Sequence, residues 1–182
     1  MNPRLRRLAA DQAKLATFFA GHPAVTVEPL GPAPADRYRV VYDVPSLRVD
    51  AQQRIVAFQP HVVTITLPPS YPRDKPYCVV DEPVFHPNFG NYICIADYWS
   101  PSQSLADIVV QIGQMLQFQL YNTRSPLNAV AARWAVEQAA SLPVGRVELL
   151  PPEPEVRLHP ATPGGGPHRT AATTATATGD GS

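Results

Sequence analysis

FHPNFGNYICIADYWSPSQSL, residues 85–105, sets two proline-anchored turns, His86-Pro87-Asn88 and Trp99-Ser100-Pro101, on either side of Cys94. A proline ring fixes φ near −65°, so the chain around the cysteine is held between rigid corners. Upstream the sequence is β-rich. HVVTITL (61–67) alternates Val62, Thr64 and Thr66 against Val63, Ile65 and Leu67, the period of a strand with one buried face. Pro68-Pro69 ends it, and PYCVVDEP (76–83) reads as a short strand between prolines. Residues 24–30 and RYRVVYDVP (37–45) give two earlier strands; a polar connection ending near Arg54 leads into the stretch 55–69 that carries the third.

Downstream, Leu105, Ile108, Val109, Ile112, Met115 and Leu116 recur at helical spacing and predict a helix over about 102–118, capped by Ser102 or Ser104. Gly113 inside it costs about 1 kcal/mol relative to Ala, which points to close packing there. The turn YNTRSP leads to a third helix at about 126–141. At the other end, Asn2-Pro3 reads as a cap followed by a first-turn proline. Leu5, Leu8, Leu15 and Phe18 continue a helix over about 3–20, ended by Gly21-His22-Pro23. Helix, strands, then helices is the order of an α+β domain: an N-terminal helix, a four-stranded antiparallel meander and C-terminal helices packed at its face and end.

The chain has 182 residues, 45% of them hydrophobic, enough for one domain with a proper core and a remainder. The domain is drawn at 1–142. Residues 143–182 form a Pro/Thr/Ala/Gly-rich tail, its composition changing from about 150, expected to be disordered because it cannot bury enough apolar surface to offset ordering entropy. Formal net charge is +0, which argues against a nucleic-acid partner. No apolar run is long enough to span a membrane, and no apolar segment of secretory type follows the basic N-terminus. Cys78 and Cys94 do not make a disulfide framework, and no Cys/His spacing suggests zinc; a reducing, cytoplasmic setting is the expectation. Only Lys14 and Lys75 are lysines among the 15 basic residues. Base composition explains that scarcity, and avoidance of self-modification is the alternative.

YPRDKP (71–76), HPN (86–88), Cys94, WSP (99–101), the Leu-rich helix and SPLNAVAA (125–132) occur in the order found in ubiquitin-conjugating enzymes, and over about 1–140 the chain resembles that family. The loops depart from the family pattern. There the cysteine usually follows the asparagine by eight residues and the tryptophan follows the cysteine by eight; here the spacings are six and five. The chain is similar to a shortened, divergent, bacterial kind of member.

The resemblance implies a cysteine acyltransferase. Cys94 would accept the C-terminus of a ubiquitin-like modifier from an activating enzyme and pass it to a lysine amine of a protein substrate, with or without a ligase, and with no cofactor or metal. It implies that Asn88 is an oxyanion donor or loop stabiliser. Asn122 and Ser125 would flank the incoming amine, and Asp97 would supply a carboxylate. It further implies that His86, Pro87 and Trp99 shape the active-site turns, and that Arg4, Arg6 and Arg7 dock the activating enzyme. Arginines near a helix N-terminus oppose the macrodipole, which also hints at a use elsewhere. Cys78 is read as core. Two alternatives stand beside this: an inactive module of the same fold that binds a modifier or other proteins, and a Cys94–His86 protease pair, for which no third orienting group is visible.

Overall fold

The computed structural model of the protein describes residues 2–96 and 99–150. Helix α1 (Pro3–Phe18) begins where expected, with the Asn2 side chain accepting the Arg4 N–H at 2.9 Å. It buries Leu8, Asp11 and Leu15. Gly21 then adopts φ +65°, a left-handed turn that lets the chain reverse into the sheet.

Strands β1 (Val25–Leu30), β2 (Arg37–Tyr42), β5 (His61–Thr66) and β6 (Tyr77–Val80) form one antiparallel sheet in the order β1-β2-β5-β6. On β5 the side chains of His61, Val63 and Ile65 are buried while those between are partly exposed, so the alternation read from sequence sets the register. Two further strands precede β5, one within the expected polar connection and one at the start of the stretch 55–69. β3 (Ser46–Val49) and β4 (Ile55–Phe58) pair as a separate antiparallel hairpin. Asp50 closes its turn, its Oδ1 accepting the Gln52 and Arg54 N–H groups at 2.9 and 2.8 Å. This hairpin serves a second core: Leu47 packs with Phe85, Phe118, Ala131 and Ala135, and Ile55 and Trp134 pack against them.

Helix α2 (Leu105–Leu116) starts at a reciprocal capping box between Ser104 and Asp107, and α3 (Ala129–Glu137) starts at Asn128, whose side chain accepts the Ala131 N–H. α3 is shorter than the sequence suggested, and a 3-10 turn (Ala139–Ser141) follows it. α2 is buried along Leu105, Ile108, Val109, Ile112, Met115 and Leu116. A Cβ at Gly113 would run into Leu149 Cδ1 and lie 3.1 Å from Tyr42 Cε1, so the glycine marks a close approach, as expected.

Leu149 lies on the tail side of the boundary drawn at 142, yet it is 1% exposed. Residues 143–150 therefore pack as part of the domain. The buried Gln117 stitches them down: its backbone carbonyl accepts the Val144 N–H at 3.0 Å, and its Oε1 accepts the Val147 N–H at 2.6 Å. The expected tail from 151 onward lies outside the described residues. Leu149→Ala should lower unfolding free energy by about 3 kcal/mol, from lost burial and the cavity left against α2; urea denaturation measures it, and a change near zero would mean the segment only rests on the surface.

Candidate active site

Hydrogen bonds tie both turns of the opening stretch to neighbouring elements. Ile93 donates its N–H to the Cys78 carbonyl of β6 at 2.8 Å. Cys94 donates its N–H to the Asn88 carbonyl at 2.9 Å, closing the short loop on itself. The six-residue spacing is thus a compact turn, with Phe89 and Ile93 bridged across it. Pro87 accepts the Leu127 and Asn128 N–H groups at 2.8 and 3.0 Å, which docks the SPLN turn on the HPN turn.

Asn88 is 3% exposed and holds the next loop with both ends of its amide. Its Oδ1 accepts the Asn122 N–H at 2.7 Å and its Nδ2 donates to the Asn122 carbonyl at 3.0 Å. His86 is buried between Phe89 and Phe118, with ring centroids 4.8 and 4.5 Å away. Its Nδ1 accepts the Asn88 N–H at 3.1 Å, so the ring hydrogen sits on Nε2, which donates to the Leu120 carbonyl at 3.3 Å. Both nitrogens are occupied in a neutral ring, which leaves neither to act as a base on Cys94. This removes the Cys–His protease alternative.

Burial, against the Leu120 hydrogen bond, pulls the His86 pKa down to about 3. Below the ordinary value near 6.5 the unfolded chain takes up a proton that the folded chain refuses until about pH 3. The stability contribution is therefore complete above pH 6.5 and is lost as pH falls toward 3. Unfolding free energy should drop by about 3 kcal/mol between pH 7 and 4 from this group. His86→Gln should flatten that slope in denaturant titrations at several pH values; an equal slope would place the proton uptake elsewhere.

Cys94 is half-buried and opens on a cleft of about 230 Å³ lined by Asn88, Ile95, Ala96, Gln111, Met115 and the 120–122 segment. Cys78 contrasts with it. It is buried in strand β6, and burial pushes its thiol up to about 12, so it stays protonated and unreactive, as its reading as core requires. The segment after Cys94 is tethered twice: the Ile95 carbonyl accepts from Gln111 of α2, and the Ala96 carbonyl from Lys75 Nζ at 3.0 Å. Sequence reading singled out neither tether, since a glutamine and a lysine carry no signal without their partners.

The remaining expected site residues divide. Asn122 lines the cleft, its Oδ1 accepting the Arg124 N–H at 2.8 Å. Ser125 is exposed on the following turn and is not among the residues lining the cleft. Asp97 and its neighbour Tyr98 lie outside the described residues. Trp99 donates its indole N–H to the Pro72 carbonyl at 2.7 Å and so fastens the WSP turn to the YPRDKP turn.

The three arginines do not act together. Arg7 turns inward: its Nε donates to Asp11 at 2.7 Å, and its other nitrogens to Tyr71 Oη, the Pro101 carbonyl and the Gln103 carbonyl. Arg4 donates to the Leu67 and Pro68 carbonyls and pairs with Asp36 at 3.4 Å. Arg6 is exposed, its side chain without a hydrogen bond or ion pair among the described residues. Asp11, missed in the sequence, completes a buried junction: its Oδ2 also accepts the Tyr71 hydroxyl at 2.6 Å, and its Oδ1 accepts the Leu105 N–H that opens α2. Burial, then the Asp11 hydrogen bond and charge, push the Tyr71 phenol above its usual range, so it remains a donor.

Among the described residues no three His, Cys, Asp or Glu side chains are grouped to hold a metal ion, and no helix is long and apolar enough to cross a membrane. An antiparallel meander followed by an asparagine turn, a half-buried cysteine, a tryptophan turn and a crossing helix defines an α+β domain of the ubiquitin-conjugating type. Residues 57–142, the later part of this domain, match the family model described as ubiquitin-conjugating enzyme. No curated protein matches the chain. The domain is thus ubiquitin-conjugating-enzyme-like in general function, a family of transferases whose members work with ubiquitin-like modifiers, activating enzymes and ligases.

Proposed function

We propose that the protein is a ubiquitin-like protein conjugating enzyme that carries its modifier on Cys94. The observation that carries this reading is the contrast between the two thiols: Cys94 opens on a polar-edged cleft while Cys78 is sealed in the core. A thiolate at Cys94 attacks the thioester presented by an activating enzyme and takes over the acyl group, releasing the first thiol. An acceptor lysine amine then attacks the new thioester, the C–N bond forms, and Cys94 leaves as thiolate. The protein's share is positioning and partial exclusion of water; thioester aminolysis runs downhill without cofactor or metal.

In this scheme Asn88 acts by holding the 120–122 segment against the cleft. Asn122 presents its backbone to Asn88 and its side-chain oxygen to the Arg124 N–H, in the turn that leads to Ser125. His86, Pro87 and Trp99 fix the turns. Asp97 would supply a carboxylate to the reaction. Of the basic residues on α1, Arg6 has the freedom to meet an acidic partner surface, whereas Arg4 and Arg7 are committed within the domain.

A trap tests the reading. Cys94→Lys would hold a transferred modifier through an isopeptide bond that does not turn over. Expressed together with its genomic neighbours, including an activating enzyme and a ubiquitin-like protein, the variant should gain the mass of one small protein. A folded set of partners and no mass gain would turn the assignment toward a binding module of the same fold.

A further inference from the structure

The cleft beside Cys94 has three lining carboxamides, Asn88, Gln111 and Asn122; the Asn122 side chain turns its Oδ1 to the Arg124 N–H at 2.8 Å. Asn88 is almost wholly enclosed and spends both ends of its amide on Asn122. Gln111 is only half-buried. Its Oε1 accepts from Gln103 Nε2 at 3.1 Å and its Nε2 donates to the Ile95 carbonyl. A carboxamide nitrogen carries two N–H groups, so Asn88 and Gln111 each keep one beyond these bonds; that of Asn88 belongs to a residue 3% exposed, while that of Gln111 is on a half-buried side chain that lines the cleft.

The rest of that helix makes the glutamine conspicuous. Leu105, Ile108, Val109, Ile112, Met115 and Leu116 are all buried apolar positions. A polar group at the edge of such a face costs free energy unless it is bonded. Here it is bonded to the residue that follows the cysteine and fixed from behind by Gln103, which is the arrangement that pre-orients a donor.

We propose that Gln111 is a further catalytic residue of the acyl transfer: it fixes the chain after Cys94 through Ile95 and donates its remaining N–H to the acyl oxygen. This rests on the reading of Cys94 as the acyl carrier. The amine nitrogen bonds to the thioester carbonyl carbon and the carbonyl π pair moves onto oxygen, where Gln111 stabilises it. The carbonyl re-forms as the C–S bond breaks, Cys94 leaves as thiolate, and the amine proton passes to water.

Two reactions of the same sulfur separate this role from a structural one. The full chain is loaded with a small probe, the 2-mercaptoethanesulfonate thioester of N-acetylglycylglycine, and discharge of the Cys94 thioester to free lysine is timed by intact mass. Alkylation of Cys94 by iodoacetamide is timed in parallel, because displacement of iodide builds no oxyanion. Gln111→Met should slow discharge about 10²-fold and leave alkylation unchanged. Gln111→Glu keeps the size and the contact with Gln103 while removing the donors, and is read in the same way should Gln111→Met fail to fold. Discharge as fast as in the natural chain, or discharge and alkylation slowed together, overturns the assignment. Failure of the natural chain to carry the probe on Cys94 overturns the acyl-carrier reading and this one with it; a loaded Cys94 with normal discharge in the variants overturns only the role of Gln111.

Discussion

Cys94→Ala should abolish every thiol-sensitive adduct formed in the presence of an activating enzyme, ATP and modifier, while Cys78→Ala leaves adduct formation intact. Cys94 is half-buried on the cleft, whereas the Cys78 thiol, pushed up to about 12 by burial, offers almost no thiolate at neutral pH. Non-reducing gels and intact mass read the two variants side by side. Cys94→Ser sharpens the result, because an oxygen ester survives mild thiol treatment that strips a thioester. Adduct lost with Cys78 and kept without Cys94 would sink the assignment. Cys78→Ala also leaves a small cavity beside Ile65, its cross-strand partner, so its activity should be read at a temperature where the variant is folded.

Asp11→Ala should cost about 4 kcal/mol of stability, because it removes one partner of a buried ionic junction and strands the other. Three donors lose their acceptor together: the Arg7 guanidinium, the Tyr71 hydroxyl and the first N–H of α2. Arg7 also holds the Pro101 and Gln103 carbonyls, so the WSP turn should loosen with it. Urea unfolding gives the stability. Hydrogen exchange gives the location, with faster exchange expected in residues 99–105. Tyr71→Phe removes one donor without stranding a charge and should cost only about 1 kcal/mol. Equal costs for the two variants would contradict the picture of Asp11 as the shared acceptor.

Much of this fold was legible because the informative residues act locally. Alternation along β5, the Asn2-Pro3 start of α1 and the apolar stripe of α2 each report a neighbour or a face a few residues away. Gly113 announced a close approach, although its partner, Leu149, was hidden beside prolines at the edge of a low-complexity tail. The hairpin of β3 and β4 escaped because its strands are four residues long and serve the second core beneath α3 rather than the main sheet.

The site was legible as a set of turns around Cys94, less so as a set of contacts. Arg7 looked like a charge awaiting a partner protein, since its acceptors at Pro101 and Gln103 are backbone groups far away in sequence. Asp11, four residues on, was missed because two of its partners, Tyr71 and the Leu105 N–H, are 60 and 94 residues away. Asn88 could be named from its turn, but its choice between the oxyanion and the loop depended on the Asn122 backbone, 34 residues away. Gln111 gave no sign at all.

The most direct test of the central claim is the location of the acyl group on the natural chain. After reaction with activating enzyme, ATP and modifier, the adduct is digested without reductant and mapped by mass. One modifier-derived acyl remnant on Cys94, released by dithiothreitol at neutral pH, is the predicted result. A remnant on any other residue, or an adduct that survives dithiothreitol in full, would contradict it.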